Sequence, residues 1–330
     1  MKKLVVTGGA GFIGSALVHK LNKEGIDDIV IVDALAESEK WKNLVGLRYR
    51  DYLHKNDFIC KVSADCLNFK PQAVVHMGAC SQTTMLDTDF LMENNYRYTQ
   101  VLANWATNRG IRFIYASSAA TYGNGKLGFS DEVDLRLLRP LNRYGYSKHL
   151  FDLHADRSGL FQKITGLKFF NVFGPNEYHK GDMTSVVFKA FHQIKKTGRM
   201  KLFKSRHEDY RDGEQIRDFV YVKDCVEIIW WLLTHESVNG LYNIGTGKPR
   251  TWNDLAKALF AAMECPPLID YVEMPDTLQG SYQYFTQAGM ERLKKTGCPL
   301  AFRSLEEAVK DYIVNHLATD NPYLDLRGSV

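Results

Sequence analysis

Leu4-Val5-Val6-Thr7-Gly8-Gly9-Ala10-Gly11-Phe12-Ile13-Gly14 decides the fold of this chain. A short β-branched run ends in a glycine cluster. Phe12, Ile13, Leu17, Val18 and Leu21 then recur at helical spacing, so the stretch reads as strand, tight turn and helix. Gly8, Gly11 and Gly14 fall at three-residue intervals. Glycine there permits the turn, a close backbone approach to a pyrophosphate and packing of helix against strand, while the helix N-terminus offers free amides to the anion. Such a triplet also arises by chance, so its position carries the inference. It follows the first strand, opens the first helix and is followed by Asp33, an acid ending the next strand, where a ribose hydroxyl would sit.

Outward from this turn, residues 29–32, 73–76, 112–115 and 166–170 read as further buried strands, and 94–109 and 146–160 as helices. Continuous apolar strands alternating with helices predict an α/β fold, a Rossmann-type doubly wound parallel sheet covered on both faces. After Phe170 the pattern loosens around Gly174, Pro175, Gly181 and Gly213, which predicts a second, smaller mixed α/β substrate domain. A helix at 223–233 and a strand at 241–244 return to the large sheet. The expected division is therefore 1–170 with 219–248 for the dinucleotide, and 171–218 with 249–330 for the substrate.

The 330 residues are 45% apolar and 24% charged, as in an ordinary soluble globular protein. The net charge of +4 is spread between both signs without a basic block, which argues against a nucleic-acid partner. The longest apolar run, 225–233, includes Glu227 and is about half the length a membrane span requires, so no membrane association is expected. Leu4 to Val6 is too short for the core of a signal peptide. Cys60, Cys66, Cys80, Cys225, Cys265 and Cys298 lack metal-ligand spacing, which predicts no metal site and a reducing, cytoplasmic setting.

Two tyrosines precede a lysine by four residues, Tyr122 before Lys126 and Tyr144 before Lys148. Tyr122 runs into Gly123, Asn124 and Gly125, which cannot sustain a helix, whereas Tyr144 leads into a helical pattern that sets both side chains on one face. Tyr144 is therefore the candidate base. A phenol of pKa about 10 accepts protons poorly at neutral pH; Lys148 and an oxidised nicotinamide are expected to lower it by roughly one to three units. Ser118, at the C-terminal end of its strand, would hydrogen-bond the same substrate hydroxyl, although a polar turn at Ser117 and Ser118 is the blander reading. Asp33 favours NAD by repelling a 2′-phosphate, while Lys40 and Lys55 favour NADP if they fold over the ribose. The residues alone leave that choice open.

The glycine loop, His76-Met77-Gly78-Ala79-Cys80-Ser81, residues 115–123, Tyr144-Gly145-Tyr146-Ser147-Lys148, Phe170-Asn171-Val172-Phe173-Gly174-Pro175, Arg217-Asp218-Phe219 and Asn243-Ile244-Gly245-Thr246-Gly247 together resemble the extended short-chain dehydrogenases/reductases. Within that superfamily, Gly78-Ala79-Cys80-Ser81, His179-Lys180-Gly181, Tyr282-Gln283 and Phe285-Thr286-Gln287 resemble the ADP-L-glycero-D-manno-heptose 6-epimerase family. The resemblance spans nearly the whole chain. It implies an isomerase that inverts C-6 of an ADP-linked heptose for lipopolysaccharide core synthesis, using tightly held NADP, with NAD as the alternative. It also implies a homo-oligomer, typically a pentamer.

Carried over residue by residue, the resemblance places Gly8, Gly11, Phe12, Ile13, Gly14, Asp33, Ala34, Lys40 and Lys55 at the cofactor. Met77, Gly78, Ala79, Cys80, Ser81, Asn94, Lys148 and Val172 join them. Tyr144 and Lys180 become opposed acid/base groups, with Lys148 supporting the first and Ser118 and Asn171 orienting the sugar. Asp182, Lys189, Phe203, Arg217 and Tyr282 would contact substrate, the last two toward the ADP. Taken without the resemblance, Lys180 is a solvated loop lysine. Asp182 and Lys189 stand where serine and histidine are expected, and 204–216 is longer than the usual segment. Arg206 and Arg211 either join Arg217 at the ADP or decorate an exposed loop, and the loop is the favoured reading.

The nearest rival is a 4-epimerase or 4,6-dehydratase on the same scaffold. A dehydratase needs an acid to expel a hydroxyl, commonly a carboxylate beside the serine, but Ala119 and Ala120 follow Ser118. A sensing module without turnover would tolerate loss of Tyr144 or Lys148, and both are present.

Overall fold

The computed structural model describes residues 3–275, 282–299 and 301–326; the remaining parts of the expected domain ranges lie outside it. Seven strands form the central sheet: β1 Leu4–Thr7, β2 Ile29–Asp33, β3 Asp51–His54, β4 Ala73–His76, β5 Arg112–Ser118, β6 Ile164–Phe169 and β7 Gly240–Ile244. They lie in the order β7-β6-β5-β4-β1-β2-β3, with every pair parallel. β1, β2 and β4 are wholly buried, as continuous apolar runs in a doubly covered sheet must be. The chain moves from β1 outward to β2 and β3, then returns to place β4 on the other side of β1. That reversal opens a crevice at the strand C-termini, beside Thr7, Asp33 and His76.

β3 was not expected from the pattern. It is an edge strand with Asp51 exposed and the other three positions half-buried, so nothing requires it to be apolar. The expected helix over 94–109 is a wide π-helical turn, Met92–Arg97, leading into an α-helix, Tyr98–Asn108. The expected helix over 146–160 starts three residues earlier, so α-helix Arg143–Arg157 contains both Tyr144 and Lys148.

α1, Phe12–Lys23, packs against the helix Val222–Thr234, while Lys55–Ser63 packs against Tyr98–Asn108. Beyond the sheet, Asn171–Phe173 pairs with Phe219–Tyr221 and Met200–Phe203 with Ile269–Val272, both parallel. Ile216–Arg217 pairs antiparallel with Arg250–Thr251, and the helices Val186–Thr197 and Leu305–Tyr312 pack on Trp252–Ala262. Among the described residues, no helix is long and apolar enough to cross a membrane, and no cluster of His, Cys, Asp and Glu is placed to hold a metal ion.

Candidate active site

The glycine turn is built by close approach. Gly8 has φ +66°, and a Cβ on it would lie 2.6 Å from the Gly78 nitrogen; a Cβ on Gly14 would overlap the Gly8 carbonyl oxygen. Larger residues would thus push α1 and the segment after β4 away from the turn. Gly11 precedes α1 in extended backbone and makes no side-chain cap, leaving the first amides of the helix toward the crevice.

At the end of β2, Asp33 is buried and both its oxygens are engaged. Oδ2 accepts from the Ala10 amide at 2.9 Å; Oδ1 accepts from the Ala34 amide and the Lys40 ammonium, each at 2.7 Å. Lys55 Nζ donates to Asn94 Oδ1 at 2.5 Å, and burial with the nearby Lys40 charge lowers its pKa. Asp33, Ala34, Lys40, Lys55, Gly78, Ala79, Cys80 and Asn94 all line one recess of about 190 Å³. The expected repulsion of a phosphate by Asp33 is thus offset by Lys40, with a second ammonium in the same recess.

A larger cavity of about 730 Å³ continues from this turn. Gly8, Gly11, Phe12, Ile13, Gly14, Met77 and Ser81 line it together with Val172, Ser118, Tyr144, Lys148 and Lys180. Tyr144 and Lys148 come from the helix Arg143–Arg157, which begins at Asn142, whose Oδ1 accepts the Gly145 amide at 2.7 Å. Gly145 allows this helix to touch the turn after β5, because a Cβ there would lie 2.8 Å from the Ala120 carbonyl oxygen. This brings Ser118 and Tyr144 to the same cavity, near enough for the Ser118 hydroxyl to act on the Tyr144 phenol. The competing Tyr122 is buried in a short 3-10 turn, with its hydroxyl donating to Asn243 at 2.7 Å, and Lys126 is exposed.

Electrostatics modify one expectation. Within the protein itself the Tyr144 phenol is held above its ordinary pKa by burial, with Ser118 opposing. Lys148 does not offset that burial: its ammonium donates to the Ala116 carbonyl oxygen at 2.8 Å, and burial pulls its own pKa down to about 8. Any lowering of the phenol must come when a cationic ring enters the cavity.

Lys180 is not the solvated loop lysine that the bare sequence suggests. It is half-buried, with its ammonium 5.0 Å from the Phe12 ring centroid, and burial lowers its pKa. The cavity therefore presents a phenol and an amine from elements far apart in the chain.

The expected substrate contacts other than Ser118 lie elsewhere. Asn171, Asp182 and Lys189 are exposed, with Lys189 Nζ donating to the Asp182 carbonyl oxygen at 2.5 Å. Arg217 is buried between the rings of Tyr282 and Trp252, 5.0 and 5.7 Å from their centroids, and Trp252 Nε1 donates to the Tyr282 hydroxyl at 3.0 Å. Phe203 is half-buried, its carbonyl accepting from Gln215 at 3.4 Å. None of these six lines the large cavity. Arg206 and Arg211 are exposed, and Arg206 donates to the Met274 carbonyl oxygen at 3.1 Å.

A family model described as NAD dependent epimerase/dehydratase family matches residues 4–245. An ADP-L-glycero-D-manno-heptose-6-epimerase of Nitratidesulfovibrio vulgaris (strain DP4) is 59% identical, covering 97% of this chain and 99% of its own. The chain belongs to the ADP-L-glycero-D-manno-heptose-6-epimerase family. A second member of this epimerase family, from Fusobacterium nucleatum, is 49% identical over 97% of this chain and all of its own. The crystal structure of the Helicobacter pylori family member superposes with a TM-score of 0.77 at 27% identity, covering 95% of this chain and 96% of that one. The family match over residues 4–245 spans both the glycine turn and the Tyr144–Lys148 pair.

Behind the candidate site stand buried polar groups the motifs did not reveal. Asn95, fully buried, accepts from the Cys80 amide at 2.8 Å and donates to the Cys80 carbonyl oxygen and Ser147 Oγ, each at 3.0 Å. It ties the segment after β4 to the helix carrying Lys148. Asp152, one turn beyond Lys148, accepts from Tyr115 and Ser117, each at 2.7 Å, and pairs with Lys168 at 2.9 Å, with neither charge exposed. The available signal was a charged residue, Lys168, inside an otherwise apolar strand pattern. Glu177, three residues before Lys180, is buried and left no such trace.

Proposed function

We propose that this protein inverts C-6 of the heptose in ADP-glycero-manno-heptose by transient oxidation with bound NADP. The observation that carries the reading is the convergence of Tyr144, Ser118, Lys148 and Lys180 on the cavity that also holds the glycine turn. The names of the relatives, at 59% and 49% identity over nearly full length, supply the sugar. The division into a cofactor unit, 1–170 with 219–248, and a substrate unit, 171–218 with 249–330, is part of the same proposal.

Gly11, Phe12 and Ile13 would meet the dinucleotide diphosphate through backbone amides. Lys40 and Lys55 would face a 2′-phosphate; two ammonium groups around one already neutralised carboxylate favour NADP over NAD. Once bound, the nicotinamide supplies a hydride acceptor and donor. Tyr144 takes the C-6 hydroxyl proton, with Ser118 holding both phenol and hydroxyl in line. The resulting ketone turns about its bond to the ring. Lys180 then protonates the alkoxide formed on the opposite face, its lowered pKa easing that transfer. Oxidation and reduction cancel, so the cofactor need not leave. Asn171, Asp182, Lys189, Phe203, Arg217 and Tyr282 would receive the remainder of the substrate, with Arg217 offering its charge to the diphosphate. On this reading the protein works in the cytoplasm as a homo-oligomer, of the pentameric type, and feeds lipopolysaccharide core synthesis.

The test is to incubate the cofactor-loaded protein with either C-6 epimer of ADP-heptose, and with a panel of UDP-hexoses, without added oxidant. Interconversion of the ADP-heptoses alone is expected. Tyr144→Phe should retain cofactor and lose turnover by roughly 10²- to 10⁴-fold, and Lys180→Ala should impair turnover in an intact fold. Normal epimerisation by both variants would end the two-base reading.

A further inference from the structure

Glu177 has no exposed surface and accepts four hydrogen bonds. Its Oε1 receives the Ser185 hydroxyl at 2.7 Å, the Tyr312 hydroxyl at 3.1 Å and the Gly174 amide at 3.3 Å, and its Oε2 receives the Ser185 amide at 2.5 Å. Gly174 and Ser185 stand at the two ends of the loop that carries Lys180, so one carboxylate closes that loop, and Tyr312 fixes it from the helix Leu305–Tyr312. The neighbouring Asn176, at φ +75°, donates to Ser15 Oγ at 2.9 Å and accepts from the Leu324 amide at 2.9 Å, which anchors the same loop on α1.

All four partners are donors, an arrangement that suits an ionised carboxylate, although burial pushes the Glu177 pKa up. A buried anion needs a compensating cation, and Lys180 is the foremost charge acting on it. The groups facing Lys180 come from several elements. Glu177 favours its ammonium and Lys189 on the next helix opposes it. His179, at about 4, is neutral near pH 7, and Phe12 offers its ring. Across the cavity stand Tyr144, a neutral phenol, Lys148, and Asp33 already paired with Lys40. Tyr178 and Tyr312, beside Glu177, are phenols held neutral by burial.

We infer that Glu177 is the positioning residue of Lys180: its carboxylate fixes both ends of the loop and supplies the negative charge that keeps the ammonium able to donate a proton into the cavity. The catalytic part of this inference rests on the epimerase reading, whereas the coupling between the two side chains stands apart from it.

The experiment is an NMR titration of lysine labelled with ¹³C at Cε, with Lys180→Arg assigning the resonance. In Glu177→Gln, checked for fold by circular dichroism, the Lys180 midpoint should fall by on the order of one pH unit. The limb of the turnover profile set by Lys180 should move by the same amount, a shift that simple loosening of the loop would not give. Glu177→Asp, which keeps the charge, should restore most of the midpoint. Coupling is reciprocal, so Lys180→Met should raise the Glu177 carboxyl midpoint, which tests the link even if Glu177→Gln does not fold. An unmoved Lys180 midpoint in folded Glu177→Gln, or an unmoved Glu177 in Lys180→Met, overturns the inference. If the midpoints move as expected while Lys180→Met epimerises normally, the coupling is upheld and only the acid role of Lys180 falls.

Discussion

The Lys148 ammonium donates to the Ala116 carbonyl oxygen at 2.8 Å, joining the helix Arg143–Arg157 to the end of β5 through a charge that lies almost wholly out of water. Burial pulls its pKa from 10.5 to about 8, with Asp152 opposing. Between those values the unfolded chain binds more protons at this lysine than the folded protein does, so stability due to this group rises with pH across the window. Below pH 8 both states are protonated and the full cost of the buried charge is felt. Urea unfolding of the cofactor-free protein should therefore show wild type gaining on Lys148→Met between pH 8 and 10.5, by on the order of 3 kcal/mol. A difference that stays level with pH would mean that the ammonium is not desolvated as described.

On the proposed reading, cofactor choice turns on Lys40 and Lys55. Lys40 is held by Asp33 at 2.7 Å, whereas Lys55 donates to the neutral amide oxygen of Asn94 and lies over the Phe90 ring, neither of which cancels its charge toward an incoming anion. Lys55→Ala should weaken NADP binding by roughly tenfold or more, about 1.4 kcal/mol, while leaving NAD nearly unchanged. Calorimetric titration of both cofactors reads the difference. Equal losses would remove the 2′-phosphate from this recess.

Sequence and structure agree where the determinants are local. β1, the glycine turn and α1 are consecutive, and Tyr144 and Lys148 share one helix start, so spacing read with its immediate sequence context could find them. β3 escaped notice because an edge strand carries no apolar signature. Lys180 was legible only through resemblance, since its burial depends on Phe12, distant in the chain. Glu177 was illegible for the same reason: its partners span Gly174 to Tyr312. Pattern reading registers periodicity along the chain and has no access to charges that meet only after the layers pack.

The Asp152–Lys168 pair illustrates the energetic consequence. Both side chains are fully buried 2.9 Å apart, and Lys168 lies 4.8 Å from the Tyr122 ring centroid. Lys168→Met would leave Asp152 with two hydroxyl donors and without its ion-pair partner, which should cost about 3–5 kcal/mol in chemical denaturation. Adding Asp152→Asn to that variant should recover part of the loss, because the unpaired charge is gone. If the single and double variants are equally unstable, charge compensation is not what holds the pair.

Gly145 separates catalytic geometry from stability. Its backbone is helical, and alanine is the better helix former by about 1 kcal/mol, so propensity alone would stabilise Gly145→Ala. The added Cβ, however, would sit 2.8 Å from the Ala120 carbonyl oxygen and 3.3 Å from the Ala120 Cβ, which obliges the helix start to retreat by a few tenths of an ångström. That displacement falls on Tyr144, the adjacent residue, and moves its phenol relative to Ser118. The two effects oppose each other in the melting temperature and act together on turnover. Gly145→Ala should therefore melt close to wild type and bind cofactor normally, while kcat for C-6 inversion falls by roughly 10- to 100-fold. Thermal melts, cofactor titration and steady-state kinetics on one preparation would check this, and a wild-type kcat would show that the Ser118–Tyr144 contact tolerates the shift.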